Sequence, residues 1–151
     1  ARFVVDGTSM APTFEGGEYL IIDRFSYNLA PPERGDIIVF HAPNEPNRDF
    51  IKRVLGLPSE SVEFRNQQLY INGQLIDEPY LGEACNPNRC ENSFTQLGED
   101  EYFVMGDNRN NSTDSRSFGA INLDIIVGEA VVLYWPYDQV NWIAQLGFPD
   151  E

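Results

Sequence analysis

Positive charge is scarce in this chain. Only 10 of its 151 residues are Lys or Arg, against 24 Asp or Glu, for a formal net charge of −14. Nucleic acid needs clustered Lys and Arg to neutralise its phosphates, so that class of partner is excluded. An anionic lipid surface is disfavoured as an electrostatic partner for the same reason. The plain reading of the charge is a solvated, self-repelling surface that keeps the domain soluble. Lysine is reduced to Lys52 and histidine to His41. No apolar run reaches the roughly 18 residues that a membrane-spanning helix requires. Cysteine is limited to Cys85 and Cys90, in the polar stretch CNPNRCENS. Two thiols and one distant histidine are too few for a metal site, and a catalytic thiol would leave the other cysteine idle. A short disulfide loop is the preferred use, and it places the domain in an oxidising compartment. Nothing calls for a metal or cofactor.

Aromatic and β-branched residues are plentiful, with 10 Phe and 7 Tyr, and 12 Gly and 10 Pro punctuate the chain as turns. Short apolar runs predict strands at 3–5, 19–23, 36–40, 50–55, 61–64, 102–105, 125–127 and 130–135. Asn72-Gly73 between two alternating runs specifies a two-residue hairpin, because both residues tolerate positive φ. No amphipathic helix of three turns and no internal repeat is evident. The fold class is mainly β. The expected organisation is a β core of residues 1–64 and 99–151, carrying an inserted β-ribbon, residues 65–98, with the Cys85/Cys90 loop. The aromatic C-terminal segment, with Trp135, Tyr137, Trp142, Ile143, Leu146 and Phe148, suits packing on that core, or contact with a lipid interface.

Three places carry candidate chemistry. On a strand through FIKRVL, Lys52 shares a face with Phe50 and Val54, where desolvation would lower its pKa towards that of a usable base. An amine that snorkels to water fits the same pattern, and on the pattern alone it is the better reading. Ser9 lies in GTSMAPT, between Gly7 and Pro12. A rigid turn there can expose a hydroxyl and free a backbone N–H for an oxyanion, though serine is also an ordinary turn former. The stretch GDNRNNSTDSRSFG, from Gly106 to Gly119, is rich in Asp and Asn. Arg109 stands at the third ligand position of a calcium loop and the mid-loop glycine is missing, so a side-chain network that pins a long loop is the better reading.

Taken together, VDGTSMAPTF, RGDIIVF, DFIKRVLGLPSE and FVMGDNRNNSTDSRSFG resemble the four signature boxes of type I signal peptidases (leader peptidases), in that order. The resemblance runs from about Phe3 to Gly119, the 65–98 insert matching only loosely. The GDNRNNS box is similar to cyanobacterial and plastid members. The resemblance implies a serine endopeptidase that removes signal peptides from exported preproteins after small, Ala-x-Ala-like residues. It implies Ser9 as nucleophile, Lys52 as general base and Ser112 as the hydroxyl that orients the lysine amine. Asp114 and Arg116 become a supporting ion pair, Asp107 joins the same network, and the Ser9 N–H forms part of the oxyanion hole. Phe3, Val5, Met10, Val39, Asp49, Phe50 and Ile51 occupy the positions of the small-residue pockets. It further implies a bilayer anchor upstream of Ala1 and a catalytic domain on the extracytoplasmic side, in periplasm or thylakoid lumen. Two positions depart from the family pattern. Gly7 replaces a serine that some members use as second oxyanion donor, leaving that role to another group such as Thr8, and Ser59 replaces a glycine in GLPSE. The alternatives are a self-cleaving repressor-type Ser–Lys peptidase, which the acidic surface and paired cysteines disfavour, and a non-catalytic extracytoplasmic β domain.

Overall fold

A computed structural model describes residues 1–136 and 141–143. The strands are β1 (Arg2–Val4), β2 (Tyr19–Asp23), β3 (Ile37–His41), β4 (Asp49–Gly56), β5 (Ser61–Arg65), β6 (Gln68–Ile71), β7 (Gln74–Leu75), β8 (Ser93–Gln96), β9 (Glu101–Met105), β10 (Ile121–Asn122), β11 (Ile126–Trp135) and β12 (Asn141–Trp142). One short helix, α1 (Ser115–Phe118), follows β9. The larger sheet runs β1-β2-β11-β3-β4-β9-β10 with β12 on β11, and the smaller runs β7-β6-β5-β8. Every pairing among the described residues is antiparallel. No helix among the described residues is long and apolar enough to cross a membrane.

Two strands differ from the sequence expectation in instructive ways. Residues 126–127 and 130–135 form parts of one strand, β11, although Gly128 reads as an interruption in the sequence. A Cβ on Gly128 would stand 2.9 Å from the Asp23 carbonyl carbon and nearer still to its oxygen, so β2 and β11 approach closely there only without a side chain. The β5 strand, expected in the core, pairs with β6 and β8 of the smaller sheet instead. That sheet is also less peripheral than its polar composition suggests. Leu69, Ile71, Tyr80, Cys85, Cys90 and Leu97 are buried with Leu55, Phe103 and Met105 of the larger sheet in one apolar cluster. Few apolar residues suffice because alternation puts Leu69 and Ile71 on one face. The Asn72-Gly73 turn has φ of 50° and 81° at its two residues, as a tight hairpin requires.

Among the described residues the larger sheet has two unpaired edges. There, β1 pairs only with β2. In β4, residues 49–52 pair with β3 alone, and β9 joins only from Arg53 onward. Both free stretches run towards the same place, β1 towards Ser9 and β4 towards Lys52.

Candidate active site

Ser9 sits on the turn after β1. Gly7 opens that turn with φ of 84°, and Ala11 N–H donates to the Thr8 carbonyl at 3.0 Å. Met10 and Phe14, 1% and 0% exposed, clamp the segment into the core. Burying such side chains contributes roughly 1.5–3 kcal/mol each, enough to fix the loop in one place. From the other side, Asn108 N–H donates to the Ser9 carbonyl at 2.9 Å and Asn108 Nδ2 to the Thr8 carbonyl at 3.0 Å. Asn111 Nδ2 donates to Thr8 Oγ1 at 2.8 Å. No hydrogen bond among the described residues engages the Ser9 N–H.

Lys52, 4% exposed, places Nζ 2.9 Å from Ser9 Oγ and 5.2 Å from the centre of the Phe50 ring. The amine therefore does not snorkel to water. Burial pushes its pKa down to about 8, Arg48 and Arg116 push the same way, and Asp114 opposes them. Roughly a tenth of the amine is then neutral at pH 7. His41 is a poor rival. Its Nδ1 lies 2.8 Å from Asp49 Oδ1 at an exposed strand end, three residues along β3 from Ile38, the partner of Lys52.

Behind this pair the 106–116 loop is tied down by charge. Asp114, fully buried, accepts from Arg116 Nε and Nη2 at 2.9 Å each, from Gly106 N–H at 3.0 Å and from Ser112 Oγ at 2.9 Å. Burial alone would raise its pKa, but the Arg116 guanidinium and these donors hold it below the usual carboxylate range. Ser112 thus gives its hydroxyl to Asp114, while the amine of Lys52 bonds Ser9. Gly106 lets Ser9 and Ser112 meet: a Cβ there would lie 2.5 Å from the Ser9 carbonyl oxygen and 2.7 Å from Ser112 Cβ.

Asp107 belongs to a second buried pair rather than to the Asp114 ion pair itself. It accepts from Arg53 Nε at 2.9 Å and Nη2 at 2.8 Å, and from Thr13 Oγ1. The Arg53 guanidinium stacks 3.9 Å from the Tyr80 ring centre. A third pair joins Arg109 to Glu78 of the insert, at 3.0 and 2.6 Å. Cys85 and Cys90 are joined by a disulfide beside the first pair, and Arg116 Nη1 donates to the Arg89 carbonyl at 2.9 Å within that loop.

A cleft of about 620 Å³ opens over Ser9 and Lys52. Phe3, Asp49, Phe50 and Ile51 line it, as does Ser112. Val5, Met10 and Val39 do not form its wall. They are 3%, 1% and 2% exposed and lie in the apolar core beneath it. Among the described residues no cluster of His, Cys, Asp and Glu could hold a metal ion.

The family described as signal peptidase, peptidase S26, matches residues 1–135. The chain belongs to the signal peptidase family. It is 41% identical over 150 residues to the signal peptidase I of Bacillus caldolyticus, covering 92% of this chain and 81% of that protein. Similarity to the signal peptidase I of Leptolyngbya laminosa is 41% over 157 residues, covering 99% and 73%. Among solved structures, a signal peptidase I from Enterococcus faecalis V583 matches with a TM-score of 0.59 and 36% identity, over 66% of this chain and 97% of that one.

Sequence reasoning misses several groups of this signal-peptidase site. Arg53, Thr13, Arg109 and Glu78 receive no role from it, although all but Thr13 are charged residues in buried ion pairs. The near-absence of lysine beside nine arginines is the available signal, since planar guanidinium suits buried bidentate pairing with carboxylate.

Proposed function

We propose that this chain removes signal peptides from exported preproteins with Ser9 as nucleophile and the neutral amine of Lys52 as general base. The observation that carries the assignment is the 2.9 Å separation of Nζ and Oγ, with the amine buried and its pKa about 8. Lys52 takes the hydroxyl proton as Oγ attacks the scissile carbonyl carbon. The oxyanion that forms is met by the Ser9 N–H. The ammonium then returns the proton to the departing amine of the mature chain, leaving an ester on Ser9. A water, deprotonated by the same amine, hydrolyses that ester and restores both residues. Asp114, Arg116 and Ser112 act by holding the loop behind Ser9, and Asp107 by fixing Arg53 beside Lys52. Thr8, at the cleft with its Oγ1 already accepting from Asn111, is our candidate for the second oxyanion donor.

The free edges of β1 and of residues 49–52 suit an extended substrate that adds backbone hydrogen bonds on either side. Phe3 and Ile51 narrow the cleft, which favours small residues before the cleaved bond. The disulfide fits an oxidising, extracytoplasmic compartment, in periplasm or thylakoid lumen. Val4, Ile21, Trp135 and Trp142 are 42–63% exposed near one sheet edge and suit an apolar rather than electrostatic contact with a bilayer. Ile143 is buried, while Tyr137, Leu146 and Phe148 lie outside the described residues. The test is cleavage of a preprotein ending its signal in Ala-x-Ala. Ser9→Ala and Lys52→Arg should each abolish it, the latter because guanidinium cannot accept the proton. Retained cleavage by either variant would overturn the assignment.

A further inference from the structure

The lining of the cleft falls into two unlike groups of residues. One is Phe3 and Val4 of β1 with Glu45 and residues 48–51, where Arg48 is already paired with Glu45 at 3.1 Å and Asp49 with His41 at 2.8 Å. The other is residues 110–113 with Arg89 of the disulfide loop. Arg89 is exposed and forms no ion pair among the described residues. Its Nη2 donates to the Ser112 carbonyl at 2.8 Å, which sets the guanidinium at the cleft rim instead of letting it swing free. The loop itself is closed by the Cys85–Cys90 disulfide, and the Arg89 carbonyl is held by Arg116. In a chain of net charge −14, this is a permanent cation without an ion-pair partner among the described residues, fixed at the rim of the cleft that holds the reacting groups.

We infer that Arg89 is a specificity-determining residue that recognises an acidic side chain within the first residues after the cleaved bond. The inference rests on the substrate placement proposed above. With the signal-peptide residues along β1 and β4, which both run towards the catalytic pair, the mature chain is left to the second group of lining residues. There its side chains pass the free Nε and Nη1 of Arg89. A carboxylate gains a charge-assisted hydrogen bond from this fork, and an ammonium is repelled by it. The contact is solvent-exposed, so its effect is a preference of several-fold rather than an absolute requirement.

The test uses peptides identical through Ala-x-Ala and differing only in carrying Asp or Lys at one of the first three positions after it. The quantity read is the ratio of kcat/KM for the Asp and Lys peptides, which cancels any general damage to the enzyme. At one of those positions the unaltered enzyme should favour Asp by about three- to tenfold, and the ratio should shrink as salt is raised. Arg89→Gln, which retains a donor for the Ser112 carbonyl, should bring the ratio close to one, Arg89→Lys should keep most of it, and Arg89→Glu should invert it. A ratio near one in the unaltered enzyme, or one unchanged in Arg89→Gln, overturns the proposal. Failure of the underlying reading looks different: no Ala-x-Ala peptide would be cut, or Ser9→Ala would cut it as well.

Discussion

Replacing Gly106 by alanine should separate the integrity of the fold from that of the site. The new Cβ would stand 2.5 Å from the Ser9 carbonyl oxygen and 2.7 Å from Ser112 Cβ, where ordinary contacts begin near 3.4 Å. Something must therefore yield by roughly 1 Å. The Ser9 carbonyl is held by Asn108 N–H and the Ser112 hydroxyl by Asp114, each at 2.9 Å, so neither moves without straining a hydrogen bond. Overpacking of this kind costs about 1–3 kcal/mol. At about 2–4 °C per kcal/mol for a chain of this size, Tm should drop by roughly 5 °C, leaving the protein folded at room temperature. Activity should suffer more, since a displacement of about 1 Å between reacting groups costs on the order of 100-fold. Gly128→Ala is the control. It forces a comparable clash against the Asp23 backbone and Ile22, in β2 rather than in the cleft. It should lower Tm but leave kcat/KM per folded molecule close to that of the unaltered enzyme. Calorimetry and peptide cleavage on the same preparations read both quantities. If Gly106→Ala keeps kcat/KM within threefold, the close approach of Ser9 and Ser112 is not what the site depends on.

Other consequences concern stability. Lys52→Met should stabilise the fold at pH 7 by about 1–3 kcal/mol, because burial disfavours the ammonium it removes. The sign follows from a pKa of about 8 in the folded state against 10.5 for an ordinary lysine amine. Below pH 8 the penalty is fully present in the unaltered protein, and between about 8 and 10.5 the folded amine is neutral while the unfolded one still binds its proton. The advantage of Lys52→Met should therefore fade across that window, as urea titrations at pH 7 and pH 10 can measure. Replacing both Cys85 and Cys90 by serine opens a loop of sequence separation 5, which should cost about 2 kcal/mol in urea unfolding. A loss above about 4 kcal/mol would mean that the loop does more than constrain the unfolded chain.

What is legible in the sequence follows from how local each signal is. The hairpin at Asn72-Gly73 depends on two adjacent residues that accept positive φ, and it is readable for that reason. Strands β2, β4 and β9 announce themselves through short apolar runs. Gly128 misleads because an interruption and a close backbone approach look alike in one dimension. The sheet that β5 joins is not legible, because pairing is a non-local choice that alternation does not encode. At the site, Ser9 and Lys52 are found through four separated motifs, 43 residues apart yet brought to 2.9 Å. Val5, Met10 and Val39 are expected on the cleft wall, but all three are buried in the core, Val5 and Met10 from the segment after β1 and Val39 from β3, and which apolar side chains turn inward is decided by packing. The pairing of Arg53 with Asp107 and of Arg109 with Glu78 spans 54 and 31 residues, and no pattern in the sequence links those partners.

Whether the neutral amine of Lys52 accepts the Ser9 proton can be read from the pH dependence of kcat/KM for an Ala-x-Ala peptide. In the free enzyme the ascending limb reports the base. Its midpoint should lie at about 8, where burial holds the Lys52 amine, and His41→Ala should leave that limb in place. A limb centred near the ordinary histidine value of about 6.5, lost in His41→Ala, would make His41 the base instead of Lys52.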